Sequence, residues 1–180
     1  MTDEMRTERL LLRQWRDSDL DPWAAMNADP LVREFFGGTL TRDQSAASLE
    51  FFRSGIEARG WGFWAVEVTA TGEFVGFTGF DDVDEEMPFH GIEIGWRLAR
   101  DAWGQGLASE AARAATAFAF DELALDEIVS FTAAPNERSR AVMRRLGMRH
   151  DPAEDFDHPL VEQPRLRRHV LYRLRAADWQ

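Results

Sequence analysis

The sequence predicts an α+β chain, mixed in its α/β character, built on a mixed sheet. Three observations predict it. Helical patterns come early, alternating runs fill the middle, and the chain closes as strand, helix, strand between Ile128 and Leu174. A length of 180 residues suits one domain with a substantial core.

Glu8 to Trp15 alternates enough for a first strand. Asp17-Ser18-Asp19 supplies caps for a short helix over Leu20 to Ala28. Pro30 opens a second short helix that ends at Gly37-Gly38. Thr41 with Gln44 is a capping box, and the helix after it sets Ala46, Leu49, Phe52 and Ile56 mostly on one side before stopping at Gly60. Trp61 to Thr69 and Phe74 to Phe80 are strands joined by a hairpin turn at Ala70-Thr71-Gly72-Glu73. An acidic loop, Asp81 to Pro88, leads to a strand at Gly91 to Leu98 and then a helix from about Ser109 to Glu122. Ile128 to Ala134 reads as a buried strand. Pro135-Asn136 starts a helix that runs to Leu146 and closes on Gly147. Arg149 to Pro164 is polar and irregular, and Arg168 to Leu174 is the last strand. There is no internal repeat and no low-complexity linker.

The chain has no cysteine, which excludes disulfides, thiolate metal sites and an acyl-cysteine intermediate. The only apolar run near its start, Leu10 to Leu12, is too short for a signal-peptide core or a membrane span, so a cytoplasmic location with no membrane partner is expected. A net charge of −11 repels nucleic acid and attracts cations, amines among them; it also serves plain solubility. The four histidines, His90, His150, His158 and His169, have no metal-ligand spacing, and no metal is expected. Arg165 to Arg168 with Arg173 and Arg175 is a basic cluster that either meets an anionic ligand or pairs with the acidic segment before it.

Gly104-Gln105-Gly106 stands between the Gly91–Leu98 strand and an alanine-rich helix. Two close glycines suit a sharp bend or a close ligand approach, and a following helix offers unpaired N–H groups and the positive end of its dipole. A P-loop needs a lysine, and the chain has none. A dinucleotide fingerprint needs a third glycine where Ser109 stands, and an acid ending the next strand where Asp126 and Glu127 precede it. The pyrophosphate of an acyl-coenzyme A fits better. Trp103, Gly104, Gln105, Gly106, Leu107, Ala108 and Ser109 give a bend of small residues whose main-chain N–H groups form an anion nest.

At these residues the sequence resembles the general amine N-acetyltransferase (GNAT) superfamily, whose signature is Gln/Arg-x-x-Gly-x-Gly/Ala. Gly104-Gln105-Gly106-Leu107-Ala108 supplies the glycine and small positions, with Trp103 where the family has Gln or Arg. WGQGLASEA is similar to the branch of ribosomal-protein N-terminal acetyltransferases, as are ERLLLRQW, GIEIGWRLARDAWGQG, NERSRAVMRRLGM, DFDHP and RRHVLYRL. The resemblance spans essentially the whole chain. It implies a single acyl-CoA N-acyltransferase domain over residues 1–180. The fold it implies is a central, mixed, mostly antiparallel twisted sheet of about six or seven strands flanked by helices.

The resemblance lays the pantetheine arm along Trp96, Arg97 and Leu98, with a backbone N–H near Leu98 polarising the thioester carbonyl. Asn136 is either a contact to the pantetheine amides or a plain N-cap. Where the family often has an acidic tyrosine this chain has Met143, so Ser139 is the candidate acid toward the departing thiolate, beside the reading of a surface serine. Arg138 and Arg140 either reach coenzyme phosphates or lie in water. Glu93, on the strand side shared with Gly91 and Gly95, is the candidate base; the competing reading is an exposed strand carboxylate. Trp61, Trp64, Phe80 and the acids Asp81, Asp82, Asp84, Glu85 and Glu86 are candidates for the acceptor mouth. His158 and His169 lie in resembling segments without an assigned role.

The activity implied is transfer of an acetyl group from acetyl-CoA to a primary amine by direct attack in a ternary complex. A protein N-terminal α-amine is the first choice of acceptor and a small amine the second. The alternative from another class is a non-catalytic acyl-CoA binding or sensing module. A monomer or homodimer is expected.

Overall fold

The computed structural model describes residues 4–179. They form two compact units, one of residues up to Phe80 with Gly95–Ala115, the other of Asp81–Ile94 with residues from Thr116 onward.

In the first unit, β1 (Met5–Arg6), β2 (Leu10–Arg13), β3 (Phe63–Val68), β4 (Glu73–Asp82) and β5 (Ile92–Leu98) lie side by side in that order, β4 and β5 each also giving a few residues to the second unit. The pairs β1–β2, β2–β3 and β3–β4 are antiparallel, with Leu12 opposite Val66 and Trp64 opposite Thr78. Gly76 and Gly79 of β4 have φ of +142° and +150°; a Cβ on either would collide with backbone, at the Arg97 carbonyl and the Gly62 carbonyl respectively. Their lack of a side chain sets the strand spacing.

Two helices cover this unit's core. α1 (Leu20–Ala28) buries Trp23, Met26 and Asn27. α2 (Arg42–Arg59) starts at the expected capping box, the Thr41 hydroxyl accepting from the Gln44 N–H at 3.2 Å and the Gln44 amide oxygen from the Thr41 N–H at 2.8 Å. It stops at Gly60, whose φ of +77° is left-handed. Trp15, Trp23, Phe52, Phe63, Phe74 and Phe77 stack edge to face and tilted beneath the helices, with Trp15 5.4 Å from Trp23 and Phe63 5.0 Å from Phe77. The buried rings among them, Trp15, Trp23, Phe74 and Phe77, contribute about 1.5–3 kcal/mol each through burial. Arg13 is also buried here. It holds Asp19 bidentately at 2.8 and 2.9 Å and Glu67 at 2.7 Å.

The expected helix after Pro30 is absent. Residues 30–36 form successive turns instead, with Arg33 N–H on the Asp29 carbonyl at 3.1 Å and Phe36 N–H on the Arg33 carbonyl at 3.0 Å. The Arg33 guanidinium then donates to the carbonyls of Phe36 and Gly38, in place of helical N–H donors.

α3 (Leu107–Asp121) begins two residues before its expected start, directly after Gly106. In the second unit the first residues of β5 pair in parallel with β6 (Glu127–Ala133), Glu93 opposite Val129. α4 (Glu137–Arg145) follows β6 and buries Val142 and Met143. The polar segment after it contains two short strands the sequence did not announce, β7 (Arg149–His150) and β8 (Phe156–Asp157). The short α5 (Pro164–Arg167) leads into β9 (Arg168–Arg175), which pairs antiparallel with β6, β7 and β8. Nine strands among the described residues exceed the expected six or seven because β1, β7 and β8 have two residues each, too few to leave a periodic pattern. Val83, Met87, Val129, Phe156 and Leu171 form a core in this unit, with Phe89 and Phe131 against it. Among the described residues no helix is long and apolar enough to cross a membrane.

Candidate active site

The glycine bend lies in the first unit. After β5 a 3-10 turn over Arg100–Ala102 delivers the chain to Trp103, and Gly104 and Gly106 follow with left-handed φ of +73° and +79°. Gly104, Gln105 and Gly106 are exposed, and a Cβ on Gly104 would meet nothing within 4 Å. The first helical bond of α3 runs from the Glu110 N–H to the Gly106 carbonyl at 3.0 Å. The N–H groups of Leu107, Ala108 and Ser109 therefore precede the helical ladder, at the positive end of the α3 dipole.

Trp103, the departure from the family pattern, has a structural use. Its indole N–H donates to the Leu98 carbonyl at 2.9 Å and ties the bend to the end of β5. Gln105 fastens the same bend through its side-chain amide, which donates to the Asp101 carbonyl at 2.8 Å. Arg9 is a member of this site that the sequence did not reveal. Its guanidinium donates to the Gln105 carbonyl at 2.9 Å and to Glu110 at 2.7 Å, and Thr7 donates to the same carboxylate at 2.6 Å. Burial raises the Glu110 carboxyl, but the hydrogen bonds from Thr7 and Arg9 outweigh it and hold the group below its ordinary value. Residues some hundred positions apart leave no local spacing signal.

Trp96, Arg97 and Leu98 end β5 in this unit. Leu98 is buried, and Trp96 and Arg97 are half-buried. The Arg97 carbonyl faces Gly76, and its side chain enters an aromatic slot 4.1 Å from the Phe36 ring centroid, donating to Asn27 at 3.2 Å.

Glu93, Asn136 and Ser139 belong to the second unit. Glu93 is half-buried, and its carboxyl is pushed up to about 8, first by desolvation and then by the charges of Asp84 and Asp81. A group at that value is matched to accept a proton near neutral pH. Asn136 is buried and works as an N-cap. Its oxygen accepts from the Ser139 N–H at 3.2 Å, and its amide nitrogen donates to Thr132 at 2.9 Å. Ser139 is half-buried. Met143 is 1% exposed and packs in the core, so the tyrosine position of the family carries no acid. Arg140 is engaged with Glu137 and with the Ala134 carbonyl.

The two histidines without an assigned role come together. Their ring centroids lie 4.7 Å apart among Phe131 and Phe156. Burial pushes His169 down to about 4, offset in part by its hydrogen bond with the Arg167 carbonyl. His158 is lowered by burial, with Asp84 acting the other way. Both rings are therefore neutral near pH 7.

Trp64 and Phe80 cannot line an acceptor mouth. Both are fully buried and pack edge to face 6.1 Å apart. Trp61 is half-buried under the Arg59 guanidinium, 4.3 Å from its ring centroid. The acidic loop is pinned to the core by Val83 and Met87 while Asp82, Asp84, Glu85 and Glu86 face solvent. The C-terminal arginines pair with acids: Arg173 with Glu127 and Glu154, Arg175 with Glu127, Arg168 with Asp157. Among the described residues no group of His, Asp and Glu gathers as a metal cluster.

A family model described as an acetyltransferase (GNAT) domain matches residues 9–149. The chain is similar to the FsC-acetyl coenzyme A-N(2)-transacetylase of Aspergillus fumigatus, 32% identical over 133 residues, covering 69% of this chain and 56% of that one. The crystal structure of an acetyltransferase from Agrobacterium tumefaciens superposes with a TM-score of 0.77 at 28% identity, covering 97% of this chain and 95% of that one. The ribosomal-protein-S5-alanine acetyltransferase of Vibrio fischeri shares the fold, with a TM-score of 0.75 at 17% identity over 98% of each chain.

Proposed function

The chain belongs to the GNAT acetyltransferase family and is an acetyl-CoA-dependent N-acetyltransferase, and from that premise we propose that it acetylates a primary amine, a protein N-terminal α-amine first, by direct attack in a ternary complex. The whole chain is read as one acyltransferase domain. The observation that carries the donor half is the exposed bend at Gly104–Gly106, with its left-handed glycines and the unbonded first N–H groups of α3. Acetyl-CoA supplies the activated acyl group. Trp103, Gly104, Gln105, Gly106, Leu107, Ala108 and Ser109 would hold its pyrophosphate through main-chain donors, and Arg9 adds positive charge beside them. The end of β5, Trp96 to Leu98, offers main-chain groups to the pantetheine arm. The Leu98 N–H is the donor assigned to polarise the thioester carbonyl.

Glu93 is the proton acceptor in this reading. An α-amine titrates near 8 and a lysine near 10.4, so a carboxyl at about 8 is matched to the former. An incoming ammonium also stabilises the ionised carboxylate. Ser139 is assigned to protonate the departing thiolate, and Asn136 fixes the start of α4 on which Ser139 stands. Two relatives support the α-amine: one is named for transfer at N(2), the other for an alanine of a ribosomal protein.

The test is thiol release from acetyl-CoA with alanine- and serine-starting peptides beside small amines, followed by mass spectrometry of the products. The chain has no lysine, so its side chains offer no competing amine. Acetylation at the peptide α-nitrogen is expected. Cofactor binding with no turnover on any amine would return the chain to the sensing role.

A further inference from the structure

The first unit holds two arginines in opposite situations, Arg13 buried and Arg97 half-buried. Arg13 has two carboxylate partners, Asp19 and Glu67. Arg97 has none. Among the described residues its one hydrogen bond is from Nη1 to the Asn27 side-chain oxygen at 3.2 Å, and its Nε is buried without a partner. Asn27, fully buried, is itself held by its amide on Ser45 at 3.2 Å, so the contact positions the guanidinium without neutralising it.

What surrounds Arg97 deepens the deficit. Its guanidinium carbon lies 4.1, 5.4 and 5.6 Å from the ring centroids of Phe36, Phe77 and Trp23, which attract a cation but cannot take its hydrogen bonds. The nearby Arg33 adds a second positive charge, and among the described residues its donors go to the carbonyls of Phe36 and Gly38. Burial, then Arg33, push Arg97 down to about 9. Phe36, lying over Arg97, is 43% exposed, and the turn that carries it ends in the left-handed Gly37 and Gly38. Cations drawn this far from water are ordinarily paired, and among the described residues this one has no carboxylate and a buried Nε without a hydrogen bond.

We propose that Arg97, held by Asn27 beneath Phe36 with Arg33 beside it, is the binding site for a carboxylate carried by the acceptor. The assignment to the acceptor rests on the acetyltransferase reading above; the carboxylate site itself does not. An acceptor with a carboxylate is either a peptide with an acidic residue close behind its N-terminus or a free amino acid.

Two experiments separate these statements. In the first, the full chain without cofactor is titrated calorimetrically with 3-phenylpropionate, 3-phenylpropanamide and phenyl phosphate. The carboxylate should bind about ten- to a hundredfold more tightly than the amide, the range of a charge-assisted contact, and Arg97→Gln and Arg33→Gln should each erase most of that difference. Equal binding of acid and amide by the unaltered protein overturns the site without any variant, and stronger binding of phenyl phosphate reassigns it to phosphate and overturns the carboxylate. In the second, acetylation of Ala-Glu-, Ala-Gln- and free amino acid acceptors is compared. A KM about tenfold or more lower for the acidic acceptor, collapsing toward parity in both variants, supports the proposal and names the source; equal KM values for Ala-Glu- and Ala-Gln- peptides and for amino acids and their amides overturn it. Carboxylate binding with no amine acetylated would sink the acceptor reading and leave the site.

Discussion

Arg9 and Glu110, 101 residues apart, close on each other at 2.7 Å, and the same guanidinium holds the Gln105 carbonyl at 2.9 Å. One side chain from the edge of β2 thus fixes both the glycine bend and the first turn of α3. Glu110 would otherwise place a bare negative charge at the helix end proposed to receive the pyrophosphate. Arg9→Met should therefore weaken coenzyme A binding about tenfold, through the lost charge and the loosened bend. Calorimetric titration of coenzyme A checks it, and the double variant with Glu110→Gln should recover part of the loss by removing the stranded carboxylate.

Gly106→Trp should abolish measurable coenzyme A binding while the protein stays folded. The position has φ of +79° and open space around it, with only Arg9 within 4 Å of an added Cβ. The cost in stability is the left-handed strain, about 1–2 kcal/mol. Circular dichroism with calorimetry separates the two effects, and unchanged affinity would remove the bend from the donor site.

Glu93 predicts two pH effects of defined sign. Turnover should rise with pH through about 8 as the carboxylate forms, and Glu93→Gln should lower turnover far more at neutral pH than in mild alkali, where the α-amine is already neutral. Stability moves the other way. A carboxyl raised from 4.5 to about 8 keeps its proton longer folded than unfolded, so this group's contribution to stability is greatest below 4.5 and is lost as pH climbs through that window. Melting curves across that range should show the decline in the parent protein and a shallower one in the glutamine variant.

Arg13→Met leaves Asp19 buried at 2% exposure without its bidentate partner. A loss of about 3–5 kcal/mol is expected in chemical denaturation, as for one half of a buried ion pair. Replacing Arg13 and Asp19 together by apolar residues should cost less.

Much of this was legible in the sequence. The capping box at Thr41, the glycine stop at Gly60 and the α1 boundaries are local signals, and the structure matches them. The glycine bend could be read because its left-handed conformation is a property of the backbone at Gly104 and Gly106. Partnerships set by folding could not: Arg9 with Glu110, Arg97 with Asn27, and the His158–His169 pair join residues far apart in the chain or without a shared period. Burial misled in the other direction. Trp64 and Phe80 carry the same alternating pattern whether they line a cleft or fill a core, and only packing decides. Pro30 to Phe36 has a helical start and end but no span long enough to repeat an apolar stripe, so turns win.

Gly76 sits so close to the Arg97 carbonyl that even a methyl group there would lever β5 away from β4. The end of β5 is thus held at its distance by an atom that is missing. A lineage drifting at this position has no neutral neighbour to step to, since alanine already displaces the strand that carries Trp96 and Leu98. Selection should consequently be felt at a residue whose only role is to be small, and directed-evolution libraries built on this chain will find position 76 closed by contact, whereas the turn at Gly72, with φ of +72° and nothing within 4 Å, is limited by backbone strain alone.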